Sequence, residues 1–372
     1  LPISIPIPIP IPISAATERS SVVKLDKNIG IRYTYTLMAT ENQHRTASLH
    51  SGQLCLVALA VLFMGLGCST KGNDKFGPRS DPMNRIDDLW DFHDPAASEQ
   101  RFRAFMETSQ DPLFRSEILT QVARAQGLQN EFDEAQATLD EAEAMMPDDA
   151  SEVRIRLLLE RGRVLNSAGK PAESRPFFLD ALAFAEQSKQ DYYAIDAAHM
   201  LGIVDPPAEQ IAWSERALEI ARSSKDPRAR NWLGPVYNNL GWSYHDAGQF
   251  DRALAHFERA LDWYREHGDA EQVRVARWSV GRALRSLGRV DEALSLQETL
   301  LKDLDAAGVT DGFVYEELAE CLLALERDDE ARKYFALAYR ELSQDTSLAQ
   351  AEPARIERLK SLSEGAAEQR RP

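Results

Sequence analysis

Cysteine is scarce in this chain of 372 residues, with three in all. Cys55 lies inside an apolar run, Cys68 follows that run, and Cys321 stands alone on a helical pattern, so no intrachain disulfide framework is expected. Cys321 reads as a small core residue rather than a reactive thiol. Histidine is also sparse: His199, His245, His256 and His267 fall in separate segments, and no ligand spacing links His256 to His267, so no metal site is expected. The chain has no HExxH, no Gly-rich phosphate loop and no GxSxG, which argues against an enzyme and implies no cofactor. Basic residues are outnumbered, 43 against 59 acidic, for a net charge of −16. Residues 1–67 carry +2, which leaves −18 for the rest. Such an acidic body repels nucleic acid and anionic membrane surfaces, so neither is expected as a direct partner. The Asp/Glu runs at 131–149 read as solvated helix faces. Beyond residue 98 no long alternating strand pattern occurs, and Ala, Leu, Glu, Arg and Gln abound, which predicts an all-α fold.

What the chain does have is a repeat. Around Gly241 the order is Tyr237, Leu240, Gly241, Tyr244, Gly248, Phe250, Ala253, Phe257 and Ala260. Gly241 and Ala253 lack bulk where two helices of a hairpin would cross, and Tyr237, Tyr244 and Phe257 would fill the spaces between helices. Gly248 is placed to end the first helix, and Asp251 is expected to cap the second. The frame recurs about every 40 residues. Downstream it is Val280, Gly281, Leu284, Gly288, Val290 and Ala293, then Leu318, Ala319, Leu322, Ala331, Phe335 and Ala338. Upstream it is Val122, Ala123, Phe132, Ala135, Leu139, Ala142 and Pro147, then Gly162, Leu165, Gly169, Phe178 and Ala181. A degenerate copy contains Leu201, Gly202 and Ala217, with Pro206 and Pro207 at its turn.

These residues resemble the tetratricopeptide signature W-x2-L-G-x2-Y…A-x3-F-x2-A, with Tyr237 in place of the leading Trp. The resemblance covers roughly residues 113–345 and implies a right-handed α-solenoid of about six helical hairpins. The long spacing implies long second helices, such as Phe250 to His267. Residues 98–112, with Phe102, Phe105 and Met106 at helical spacing, are expected to form an N-terminal capping helix, and residues 346–372 a closing helix and tail.

The N-terminal region is of another kind. Residues 1–14 alternate Ile and Pro, which suits neither helix nor central strand. The first Met is Met38, and residues 1–37 are read as lying before the true start. From there, residues 38–67 read as an export signal: a polar segment with Arg45, then the apolar run Leu54–Gly67 of 14 residues, short of the roughly 20 needed to span a bilayer. Gly67-Cys68-Ser69 resembles the end of a lipobox, with Gly65 where a Leu is expected, which implies a lipidated Cys68. Residues 68–97 then read as a flexible tether. The expected location is the bacterial cell envelope, on the periplasmic side of the outer membrane in a Gram-negative cell, with the membrane engaged through the lipid anchor only. An uncleaved anchor and a cytosolic regulatory module remain open.

In a fold of this kind the residue after the small Gly or Ala of each first helix faces the concave groove. Here these are Arg124, Arg163, Trp242, Arg282 and Glu320, joined one turn away by Asn166, His245 and Arg285, and by Asn238 and Trp278. Arginine forks and flat tryptophans suit an extended, partly acidic peptide, so a protein or peptide partner is expected. The alternative is that the arginines pair with nearby Glu and Asp and the tryptophans pack between hairpins.

Overall fold

The computed structural model describes Ile86 and residues 88–365. The low-complexity start, the export signal and Cys68 lie outside the described residues. Every regular element among the described residues is a helix.

A first helix, α1 (Pro95–Met106), starts where Asp94 accepts a hydrogen bond from the Ala97 N–H and Pro95 occupies a position that needs no donor. It buries Phe102 and Met106 against α2 (Pro112–Leu128). Helix pairs follow: α2 with α3 (Phe132–Met145), α4 (Ser151–Ser167) with α5 (Pro171–Gln187), and α6 (Asp191–Val204) with α7 (Pro207–Ser223). After one short turn of helix, α8 (Pro227–Arg230), come α9 (Leu233–Asp246) and α10 (Phe250–His267). Then come α11 (Ala270–Ser286) and α12 (Val290–Ala307), and α13 (Gly312–Ala324) with α14 (Asp328–Leu342). Two further helices, α15 (Thr346–Ala351) and α16 (Pro353–Glu364), complete the described chain, and Leu359 of α16 is buried. The fold is therefore an all-α arrangement of solenoid-type hairpins, with the long second helix at Phe250–His267 that the spacing implied.

The chain divides into two compact units, one running to Ala283 and the other starting at Leu284. In the first, α2, α4, α6 and α9 each pack on their own second helix, and α2 with α4, α5 with α6 and α7 with α9 join successive hairpins, so the core runs through Ile118, Leu139, Ile155, Phe178, Leu201 and Phe257. In the second, α13 and α14 pack together and α16 lies on α14.

The turns explain the glycines. Gly169, Gly248 and Gly288 have φ of 77°, 70° and 77°, a left-handed conformation that ends the preceding helix. Asn130 and Glu326 hold the same conformation in their hairpins. The α6/α7 turn lacks it, because Asp205 and Pro206 are extended and the proline pair starts α7 directly. At the helix crossings the requirement is space: a Cβ on Gly241 would overlap the Phe257 ring and reach within 2.9 Å of its Cζ. One cap differs from expectation. Gln249, not Asp251, is the N-cap of α10, without a side-chain bond, and Asp251 lies inside the first turn, where its charge meets the positive helix end.

Residues 88–97 also differ from the tether expectation. Residues 95–97 form the first turn of α1, and the segment before them packs on α1 and α2, because Leu89 and Trp90 join the apolar cluster of Phe102, Ile118 and Val122.

Candidate functional site: the face of the first helices

In the first unit the first helices α2, α4, α6 and α9 follow one another along one layer. Arg124 on α2 donates from Nη1 to Glu160 Oε1 on α4 at 3.1 Å. Arg163, one turn on along α4, donates to the same carboxylate at 2.5 Å and to Asp196 of α6 at 2.5 Å. His199, one turn beyond Asp196, lies 3.4 Å from the Asn239 side-chain amide on α9. The result is a buried ladder of alternating charge that joins successive first helices. Arg124 and Arg163 are 7% and 5% exposed.

Burial in such a layer penalises charge, and each group shows it according to its neighbours. Burial works against the charge on Arg163, but Asp196 and Glu160 outweigh it and hold its pKa above the ordinary value. At Arg124 burial, with Arg163 adding to it, outweighs Glu160 and holds the pKa below its ordinary value. At His199 burial outweighs the opposing pull of Asp196 and, with Arg163 adding to it, pushes the pKa down to about 4, so the ring is neutral at pH 7. A parallel set lies nearer the helix starts, where Arg156 donates to the Tyr193 hydroxyl at 2.7 Å and Tyr193 in turn to Glu152 at 2.6 Å.

The groove residues named from sequence are thus mostly not displayed on an open surface. Arg124, Arg163, Asn166, Asn238, Trp242, His245 and Trp278 are buried, and this corrects the expectation of an exposed groove. The physical reason is that each first helix offers its polar side chains to the next first helix. Trp242 meets Trp278 at 5.8 Å between ring centroids and sits edge-on to Phe257 at 5.0 Å, while His245 lies against Trp242 and Phe250. Burial raises the pKa of the adjacent Asp246, with His245 opposing the shift. In the second unit Arg285 holds Glu317 of α13 at 2.5 Å, and Glu320 is engaged by Arg358 of α16. Arg282 is half-buried.

Three of these side chains keep hydrogen-bonding capacity that their neighbours do not use. Asn166 is 1% exposed and neither atom of its amide is bonded. Asn238 Oδ1 and Trp242 Nε1 on α9 are likewise buried without a partner. The acidic members Glu160, Asp196 and Glu317 had no place in the reading of the sequence. Their signal was present, because each lies 32–36 residues after the arginine it meets, one repeat less about a turn. Among the described residues no cluster of three or more His, Cys, Asp or Glu could hold a metal ion.

A tetratricopeptide repeat model matches residues 208–266 and 234–306. Residues 208–306 are tetratricopeptide repeats. The outer dynein arm-docking complex subunit 4 of Danio rerio is 30% identical over 122 residues, which is 33% of this chain and 23% of that protein. The chain therefore spans less than a quarter of that relative. Among solved structures, the apo form of RapI superposes with a TM-score of 0.61 at 13% identity, over 77% of this chain and 80% of that one. The signal-transduction ATPase of Pyrococcus horikoshii with a tetratricopeptide repeat sensor superposes with a TM-score of 0.54 at 14% identity, over 77% and 45%. Identities this low speak for the tetratricopeptide-type fold alone.

Proposed function

We propose that the protein is a non-catalytic interaction scaffold that holds an extended peptide or a partner helix on the face of its first helices. The observation that carries this reading is the Asn166 amide, buried with donor and acceptor both unused, together with Asn238 Oδ1 and Trp242 Nε1 on the same layer. An unsatisfied buried polar group costs about 1–3 kcal/mol, and a carboxamide matches the C=O and N–H of a passing main chain. Because these atoms are covered, binding requires the side chains above them to move aside, and that ordering is part of the affinity. Peptides selected from a random display library on the full chain provide the test. Asn166→Ala and Asn238→Ala are expected to weaken the selected peptides at least tenfold, whereas unchanged affinity would remove the first-helix face from the reading.

The scaffold is further proposed to be tethered. The support is sequence alone: the apolar run Leu54–Gly67 followed by Gly67-Cys68-Ser69. Lipidation of Cys68 would place the protein in a bacterial envelope, with the lipid as its only contact with the membrane. Expression from Met38, membrane fractionation and mass spectrometry of the mature N-terminus, compared with Cys68→Ser, decide it. An intact and soluble N-terminus would favour a cytosolic regulatory module.

A further inference from the structure

Residues 88–94, Asp-Leu-Trp-Asp-Phe-His-Asp, form neither helix nor strand, yet they are laid on the first-helix face at α2. The Trp90 indole N–H donates to Gln121 Oε1 at 3.0 Å. The Trp90 and Phe92 rings stack with centroids 4.6 Å apart and planes 4° from parallel, and Trp90 meets Phe102 edge-on at 4.9 Å. The Arg124 guanidinium carbon lies 6.0 Å from the centre of each stacked ring, a distance at which a cation and a ring face attract. Arg101 of α1 donates to the Leu89 carbonyl at 2.8 Å, and Ser98 Oγ accepts from the Asp91 N–H at 2.7 Å.

This segment has the make-up of a bound peptide: two aromatics as anchors, three aspartates around them, and few main-chain bonds of its own. Trp90 and Phe92 remain half-exposed, and the hydrogen bond from Trp90 to Gln121 joins the segment to α2. We propose that residues 88–94 are a resident, displaceable ligand of the α2 face, and that this face accepts a partner peptide of the same chemistry, paired aromatics flanked by aspartates. The proposal rests on the reading of the first-helix layer as a peptide platform. It adds the chemistry that one end of that layer selects and a self-contact that must open first. Arg124 supplies the selectivity for the aromatic pair, since its guanidinium faces both rings. A tethered competitor has a high local concentration, so the resident segment lowers the apparent affinity of any free peptide.

A fluorescein-labelled peptide of residues 88–97, DLWDFHDPAA, measured by anisotropy against the full chain, tests this. The Trp90→Ala/Phe92→Ala variant, whose own segment no longer competes, is expected to bind the peptide at least tenfold more tightly than the wild type, and adding Gln121→Ala is expected to reverse the gain. Equal binding to both chains, or no binding to a variant that keeps its helical spectrum and melting temperature, overturns the proposal. Dimerisation of the wild type that rises with concentration and vanishes in the variant would assign the face to a second copy and overturn it as well. Should the variant melt below room temperature, hydrogen exchange on the unaltered chain decides: amides of residues 89–94 are expected to exchange while those of α2 stay protected, and coincident exchange overturns displacement. Failure of these tests with retained Asn166 dependence would sink the resident ligand and leave the scaffold reading standing.

Discussion

Arg163→Met probes the buried charge ladder most sharply. The guanidinium is 5% exposed and bonds Glu160 and Asp196 at 2.5 Å each. Methionine keeps much of the side-chain length and removes the charge. Glu160 retains Arg124, but Asp196 at 3% exposure loses its donor, and removing one member of a buried ion pair costs about 3–5 kcal/mol. Replacing both members, Arg163→Met with Asp196→Leu, takes the two charges out together, and such exchanges for apolar groups of similar size are often neutral. The cycle is therefore expected to show a coupling of at least about 3 kcal/mol, with the double variant close to wild type. Guanidinium denaturation followed by far-ultraviolet circular dichroism gives the stabilities, and hydrogen exchange over α4 and α6 localises the loss, since repeat arrays can open in parts. A cost below about 1 kcal/mol for Arg163→Met, with simple addition in the double variant, would refute the ladder as the joint between first helices.

The remaining predictions follow from single sites. Gly241→Ala is expected to lower stability by about 1–3 kcal/mol despite the better helix propensity of alanine, because the new Cβ overlaps the fully buried Phe257 ring; an unchanged melting temperature would mean the ring has room to move. His199 is depressed to about 4 in the folded chain against about 6.5 unfolded, so the unfolded state binds the proton first. Its contribution is complete above pH 6.5 and is lost as pH falls toward 4, roughly 2 kcal/mol by pH 5. That loss should be missing in His199→Gln, and equal pH slopes in the two proteins would contradict it. Burial pushes the Cys321 thiol up to about 12, with Glu317 adding to the shift. Iodoacetamide should then label Cys321 only when the second unit is unfolded, and rapid labelling of the native protein would place it at an accessible surface.

The hairpins were legible because their determinants are local. Gly241 opposite Phe257, Gly162 opposite Phe178 and the left-handed turn at Gly248 each need a residue type that few others replace. The Asp251 cap was misplaced because a helix start shifts by a residue or two without altering the apolar pattern. At the candidate site, the sequence placed Arg124, Arg163 and Trp242 on first helices but did not show their burial. Arg124 and Arg163 read equally well as ligand forks and as members of a ladder, and their acidic partners lie 36 and 33 residues further on, beyond any local periodicity. The segment around Trp90 follows a polar stretch with Gly and Pro whose composition suits a tether. Its docking depends on Gln121 and Arg124, some 30 residues further on.

The most direct test of the scaffold account measures Asn166→Leu for both stability and peptide affinity in the full chain. If the amide is kept for a partner, removing its unused polar atoms should leave the melting temperature unchanged or raise it, while the affinity for selected peptides falls at least tenfold. A fall in stability with affinity intact would show that Asn166 holds the fold together and that the first-helix face is not where partners are held.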